Sequence, residues 1–224
     1  PMIEMWDGVF RGLDPEIDAE AGAPSRTFEA MHRVLDEVWR ECARVLRPGG
    51  IACINIGDAT RTVPVGPKER RFRLFTNHAR IISSFESLGF DALPPVLWWK
   101  PTNAPNKFMG SGMLPGGAYV TLEHEYILIL RKGERRRYTG VELSQLRRRS
   151  AYFWEERNQW FSEIWDLRGV RQALPARQER QRSGAFPFEL AFRLIAMYSL
   201  YGETVFDPFL GTGTTSAAAA GNRY

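Results

Sequence analysis

Cysteine, histidine and long apolar runs are what this chain has least of. Its 224 residues include two cysteines, Cys42 and Cys53, in neither a CxxC nor any other metal-ligating spacing. That scarcity excludes a secreted disulfide scaffold and fits a reducing compartment. The three histidines, His32, His78 and His124, are scattered without metal spacing, so no metal site is expected. No apolar run approaches the roughly 20 residues of a membrane span, and no signal-peptide pattern opens the chain. The expectation is a soluble protein of the cytosol, without membrane or metal. Internal repeats and low-complexity tracts are also missing.

What is present is ordinary in amount and uneven in placement. Hydrophobic residues at 44% and charged residues at 25% suit a globular protein with a full core. The length fits one medium-sized domain, or one carrying a sizeable insertion. Formal net charge is +4, and its distribution is more informative than its size. Arg131, Lys132, Arg135, Arg136 and Arg137 are followed shortly by Arg147, Arg148 and Arg149. A run of this kind is often only a solvated face. Like charges repel unless something anionic lies opposite, so the density also suits a polyanion partner.

Apolar periodicity sets a coarse order of elements. Residues 24–46 predict a helix, with Phe28, Met31, Leu35, Val38, Cys42 and Val45 at three- and four-residue spacing. Pro48-Gly49-Gly50 stops it. The almost wholly apolar run 51–56 predicts a strand buried on both faces, which points to an α/β layered fold. A second helix is expected over 75–88, and strands over 96–99 and 126–130, separated by a long loop rich in Gly, Pro and Asn. Residues 133–183 break the rhythm with arginines among Tyr152, Phe153, Trp154, Trp160, Phe161 and Trp165, and predict an inserted subdomain. A helix over 188–199, a strand over 204–206 and a helix from Gly213 complete the pattern.

The last strand-to-helix turn carries the most chemistry. It reads Asp207-Pro208-Phe209-Leu210-Gly211-Thr212-Gly213-Thr214-Thr215. Glycines at 211 and 213 allow positive φ and let a ligand approach the backbone with no Cβ in the way. The following helix offers unpaired N–H groups at its positive dipole end. A dinucleotide fingerprint needs a third glycine where Ser216 stands, and no Gly-Lys-Ser/Thr of a phosphate-binding loop occurs.

This nine-residue stretch resembles the methionine-binding motif of the amino-DNA methyltransferases, which modify N4 of cytosine or N6 of adenine. The resemblance extends to Gly184-Ala185-Phe186-Pro187-Phe188-Glu189-Leu190, similar to the family's helix-start motif beside the cofactor, although Gln181-Arg182-Ser183 replaces the usual His-Pro. Trp99-Lys100-Pro101-Thr102-Asn103-Ala104-Pro105 with Glu123-His124-Glu125-Tyr126-Ile127 looks like the strand-loop-strand after the catalytic region. Arg47-Pro48-Gly49-Gly50 leading to Ile56-Gly57-Asp58 resembles the helix and strand before it.

The resemblance implies an α/β, Rossmann-like methyltransferase fold: a mostly parallel twisted sheet with helices on both faces. It implies S-adenosylmethionine as cofactor, held by Asp207, Pro208, Phe209, Gly211, Thr212, Gly213 and Thr214 with Phe186 and Pro187. Motif order resembles the circularly permuted class, with a catalytic half over 1–132, a DNA target-recognition region over 133–183 and a cofactor part over 184–224. The family's (Ser/Asp)-Pro-Pro-(Tyr/Phe) tetrapeptide is not in this chain. Pro1-Met2-Ile3-Glu4-Met5-Trp6 is similar to the residues directly after a Ser-Pro-Pro-Tyr, so the catalytic residues are expected just before Pro1.

The implied partner is double-stranded DNA, with a cognate restriction endonuclease as a further candidate. An exocyclic amine attacks a sulfonium methyl directly, so the reaction needs positioning and electrostatics more than a covalent intermediate. The target base must leave the duplex to be reached. Lys100, Asn103 and Lys107, with Arg135, Arg136, Arg137, Arg147, Arg148, Arg149 and Arg157, are the candidate DNA contacts. Trp154, Trp160 and Trp165 are expected in a local core. Asp58 either touches cofactor or target, or caps the next turn. Neither cysteine follows the Pro-Cys pattern of 5-methylcytosine chemistry. An RNA methyltransferase and a non-catalytic DNA-binding module remain the rival readings.

Overall fold

A computed structural model describes residues 24–65, 68–100, 109–110, 114–170 and 185–221. The chain divides into two compact units, one comprising residues 1–94 and 126–135, the other residues 95–125 and 136–224.

The first unit is led by α1 (Pro24–Val45), followed by β1 (Ile51–Ile56), the antiparallel hairpin β2 (Ala59–Pro64) and β3 (Arg70–Phe75), and α2 (Asn77–Ser87). β4 (Phe90–Trp99) begins here, and most of β7 (His124–Lys132) belongs here. β1 and β7 are antiparallel, with Ile51 opposite Arg131 and Ile56 opposite Tyr126. The α1 stripe Phe28, Met31, Leu35, Trp39 and Ala43 packs with Ile81 and Phe85 of α2 and with Ile56, Leu128 and Leu130 of the strands. Aromatic edges lock this layer: Trp39 lies 5.5 Å from Phe85, and Phe85 meets Phe90 edge-on at 4.9 Å. Four successive residues of β7, Ile127 through Leu130, are buried, as expected of a strand covered on both faces.

Two of the basic residues at the head of the cationic run hold this unit together. The Lys132 ammonium donates to the carbonyls of Ala43 and Leu46, a cation on the negative end of α1. Arg131 pairs with Asp91 at 2.5 Å.

The second unit contains the end of β4, the short pair β5 (Met109–Gly110) and β6 (Ala118–Tyr119), α3 (Val141–Arg149), α4 (Trp154–Trp160), β8 (Ile164–Asp166), α5 (Phe188–Tyr198) and α6 (Thr214–Gly221). β8 runs parallel to β4, Leu97 facing Ile164. The strand order is β1-β7-β4-β8, so the described pairings are mixed rather than mostly parallel. Trp98 and Trp165 are fully buried, and Trp98 Nε1 donates to Leu167 O at 2.7 Å. Trp160 meets Phe192 edge-on at 6.1 Å, which seats α4 on α5.

Three further expectations are revised by the fold. β4 starts at Phe90, six residues before the apolar run Val96–Trp99 suggested, and passes through Pro94 and Pro95. Pro95 is tolerated because its nitrogen faces the same edge as Leu97 N, where β8 pairs only from Leu97 onward among the described residues. Residues 204–206 are irregular: they are apolar enough for a strand but have no ladder partner among the described residues. Trp154 is not core. It is 67% exposed, whereas Trp160 and Trp165 are 5% and 1% exposed.

Candidate cofactor turn and basic face

Asp207 organises the turn before α6. Its Oδ1 accepts from Phe209 N at 2.8 Å, and its Oδ2 accepts from Thr215 Oγ1 at 2.5 Å. One carboxylate thus ties the entry of the turn to the first residues of the helix. An ionised carboxylate offers about four lone-pair sites, so the two bonds leave acceptor capacity for a ligand donor. Gly211 and Gly213 have φ of +56° and +83°, conformations that L side chains rarely adopt. A Cβ built on Gly213 would meet nothing within 4 Å, so the space above the turn is open. Gly213 N bonds back to Leu210 O at 2.9 Å, and Ala217 N closes the first helical bond to Gly213 O. Phe209 and Leu210 stand about half exposed beside it. Pro208 and Thr212 are exposed and Thr214 half-buried.

Phe186 and Pro187 are half-buried at the start of α5, where Pro187 takes the position before the first turn. The neighbouring Phe188 reaches within 3.3 Å of where a Cβ on Gly221 would sit. That contact lies at the far end of α6, roughly 10 Å along the helix from Thr214 at 1.5 Å per residue. The structure therefore brings Asp207, Phe209, Gly211, Gly213 and Thr215 together. A cavity of about 230 Å³ lies just upstream, lined by Ile195, Leu200, Glu203, Val205 and Ala219 among others, and by no residue of 207–215.

The cationic candidates divide in two. Arg136 forms an ion pair with Glu203 and stacks over Tyr138 at 4.9 Å, so it is internally engaged. Lys100 pairs with Glu125 and lies 3.9 Å over the Trp98 ring. By contrast Arg135, Arg137, Arg147, Arg148, Arg149 and Arg157 are exposed. Arg147 covers Tyr138 at 4.6 Å and Arg157 covers Trp154 at 5.1 Å. Asn103 and Lys107 lie outside the described residues, as do 1–23 and 171–184.

Asp58, singled out in the sequence, joins His78 and Tyr126 in the first unit in a group that the sequence did not indicate. Asp58 accepts from His78 N at 3.2 Å and lies 2.7 Å from His78 Nδ1, and the His78 ring stacks on Tyr126 at 4.0 Å. Burial, with the Asp58 charge adding to it, pushes the Tyr126 phenol up. Asp58 sits at the positive end of α2, a stabilising place for a carboxylate. Residues 58 and 78 have no sequence spacing to betray them; only the β2–β3 hairpin brings them together. Burial pushes the Cys53 thiol up to about 12, which leaves it inert near neutrality. Among the described residues no three potential metal ligands cluster.

A Rossmann-like α/β layer, with a glycine turn braced by an acidic side chain ahead of a helix, defines the class: this is the methyltransferase fold. The family model described as DNA methylase, covering the N6 and N4 enzymes, matches residues 18–223, and the chain belongs to that family. It is 54% identical over 226 residues to the Type II methyltransferase M.MthZI of Methanothermobacter thermautotrophicus, covering 98% of this chain and 62% of that protein. It is 49% identical to the Type II methyltransferase M.MjaI of Methanocaldococcus jannaschii, over 98% of this chain and 74% of that one. Among solved structures it is similar to TTHA0409 of Thermus thermophilus, described as a putative DNA modification methylase and complexed with S-adenosyl-L-methionine. The TM-score is 0.68 at 36% identity, over 88% of this chain and 70% of that chain. The chain thus spans between three fifths and three quarters of these relatives' lengths.

Proposed function

We propose that this chain is part of a site-specific DNA methyltransferase that uses S-adenosylmethionine to methylate the exocyclic amine of a base extruded from duplex DNA. The observation that carries the reading is the turn at 207–215, with two left-handed glycines, open space above Gly213 and a carboxylate already fixed in place. The cofactor supplies an electrophilic sulfonium methyl; the chain's residues bind and orient. Asp207 would hold a cationic amino group through its remaining acceptor sites, and the amides at the start of α6 would hold an anionic carboxylate. Those are the two charged ends of a methionyl group. The exposed arginines of 135–157 suit DNA phosphates, which position the duplex without reading its sequence.

The similarity of residues 1–6 to the sequence following a serine tetrapeptide favours N4 of cytosine; N6 of adenine is the second reading. The Type II names of the relatives support a restriction-modification setting; a cognate endonuclease and action in the prokaryotic cytosol are further parts of the same proposal. Among the described residues no helix is long and apolar enough to cross a membrane.

Incubating the full-length protein with methyl-labelled cofactor and duplex DNA, then digesting to nucleosides, tests this. Label in N4-methyldeoxycytidine is the expected result, and N6-methyldeoxyadenosine selects the second reading. Label only in RNA, or none at all, would sink the proposal. Asp207→Ala should weaken cofactor binding by more than about tenfold in calorimetry, in line with loss of a charge-assisted hydrogen bond.

A further inference from the structure

We propose that Trp154, with Phe153 beside it, is an aromatic wedge that stacks on a nucleobase of bound DNA; this rests on the function proposed above and adds a contact of a different chemical kind. Two adjacent large aromatics, 76% and 67% exposed, are costly to leave in water. They open α4, whose other end buries Trp160 against Phe192 of α5, so the pair is carried on a fixed element. The Phe153 amide is held by Glu156 Oε2 at 2.7 Å, which fixes the corner on which both rings stand.

The surroundings say what covers them. Arg136 and Arg147 both cover Tyr138, at 4.9 and 4.6 Å. The Tyr152 hydroxyl feels the charges of Arg147 and Arg157, and its ring lies 5.6 Å from Phe161. Arg157 in turn covers Trp154 at 5.1 Å. Arginine and aromatic therefore alternate from Arg136 through Tyr138, Arg147, Tyr152 and Arg157 to Trp154. This surface offers flat π faces and cations together, which matches a polyanion with flat bases and does not match an apolar partner.

Two carboxylates, Glu155 and Glu156, lie directly behind the aromatic pair. They disfavour a phosphate at the tip, whereas the Arg147, Arg148 and Arg149 cluster at the end of α3 favours one. The division assigns the sugar–phosphate backbone to α3 and a base face to Trp154. Arg157 covers one side of the indole and holds the ring, leaving the other side for stacking.

The test is DNA affinity of the full-length protein by fluorescence anisotropy with a labelled random-sequence duplex at one fixed salt concentration. Trp154→Ala should weaken binding about tenfold, within the range for loss of one base-stacking contact. Trp154→Phe should recover most of that loss. Duplex binding should also quench indole emission in the native protein, and the quenching should shrink in Trp154→Phe. Unchanged affinity and quenching in both variants, while the native protein binds duplex, would overturn the wedge and leave the proposed function standing. Failure of the native protein to bind duplex at all would overturn both. If Trp154→Ala instead converts a dimer to monomers in sedimentation with unaltered DNA affinity, the patch is a protein contact and the inference fails.

Discussion

His32 is fully buried, and its protonation state is set by its neighbours. Asn77 Nδ2 donates to Gly57 O at 2.9 Å, which turns the amide oxygen toward His32 Nε2 at 3.0 Å, so Nε2 carries the proton. Among the described residues Nδ1 has no hydrogen-bond partner, and a second proton there would create a buried cation with no acceptor among them. Burial, reinforced by the Arg80 charge, accordingly lowers the His32 pKa below 6.5. A base whose folded pKa is depressed takes up its proton more readily in the unfolded chain. Its stabilising effect is complete above pH 6.5 and declines as pH falls from there toward the folded value. Thermal unfolding between pH 7.5 and 5 should show a decline of at most about 1.4 kcal/mol per pH unit from this group. His32→Gln should flatten that decline; an identical slope in the variant would refute the assignment.

At the scale of elements, the α1–α2 contact carries a polar clasp beside its apolar stripe. Arg80 grips Asp36 with two hydrogen bonds, at 3.2 and 2.6 Å, and Ser84 Oγ adds a third at 2.6 Å. Burial alone would raise the Asp36 pKa, yet the bonds from Arg80 and Ser84 outweigh it and hold the carboxyl below its ordinary value. Asp36→Ala should cost about 1–2 kcal/mol in urea unfolding, as charge-assisted hydrogen bonds do. A change below about 0.3 kcal/mol would mean that the clasp adds nothing to the apolar contact.

How much of this was legible depends on the same division between local and distant. The α1 stripe, the β1 run and the glycine turn announce themselves because period and punctuation are local properties. The β2–β3 hairpin does not, since Arg70, Arg71 and Arg73 give β3 a polar face with no clean alternation. The exposure of Trp154 was not legible because Trp160 and Trp165, close by in sequence, are core, and no local signal separates a buried indole from an exposed one. The turn that begins at Asp207 was legible, but the bond of that carboxylate to Thr215 was not. Two residues eight apart meet only once the turn is folded.

Over the whole molecule, the sequence overstates how much positive charge faces outward. Nine basic residues occur among 131, 132, 135–137, 147–149 and 157. Arg131, Lys132 and Arg136 are committed to Asp91, to the end of α1 and to Glu203, which leaves six. Each phosphate neutralised releases condensed counterions, and the logarithm of the association constant falls with the logarithm of salt by roughly 0.9 per contact. Six contacts set a slope no steeper than about −5 for this face. Arg148→Ala should lower its magnitude by about 1, whereas Arg136→Ala should leave it unaltered and lower the melting temperature instead. A titration from dilute to physiological potassium would therefore count ions leaving the DNA, and through them the arginines without a carboxylate partner among the described residues.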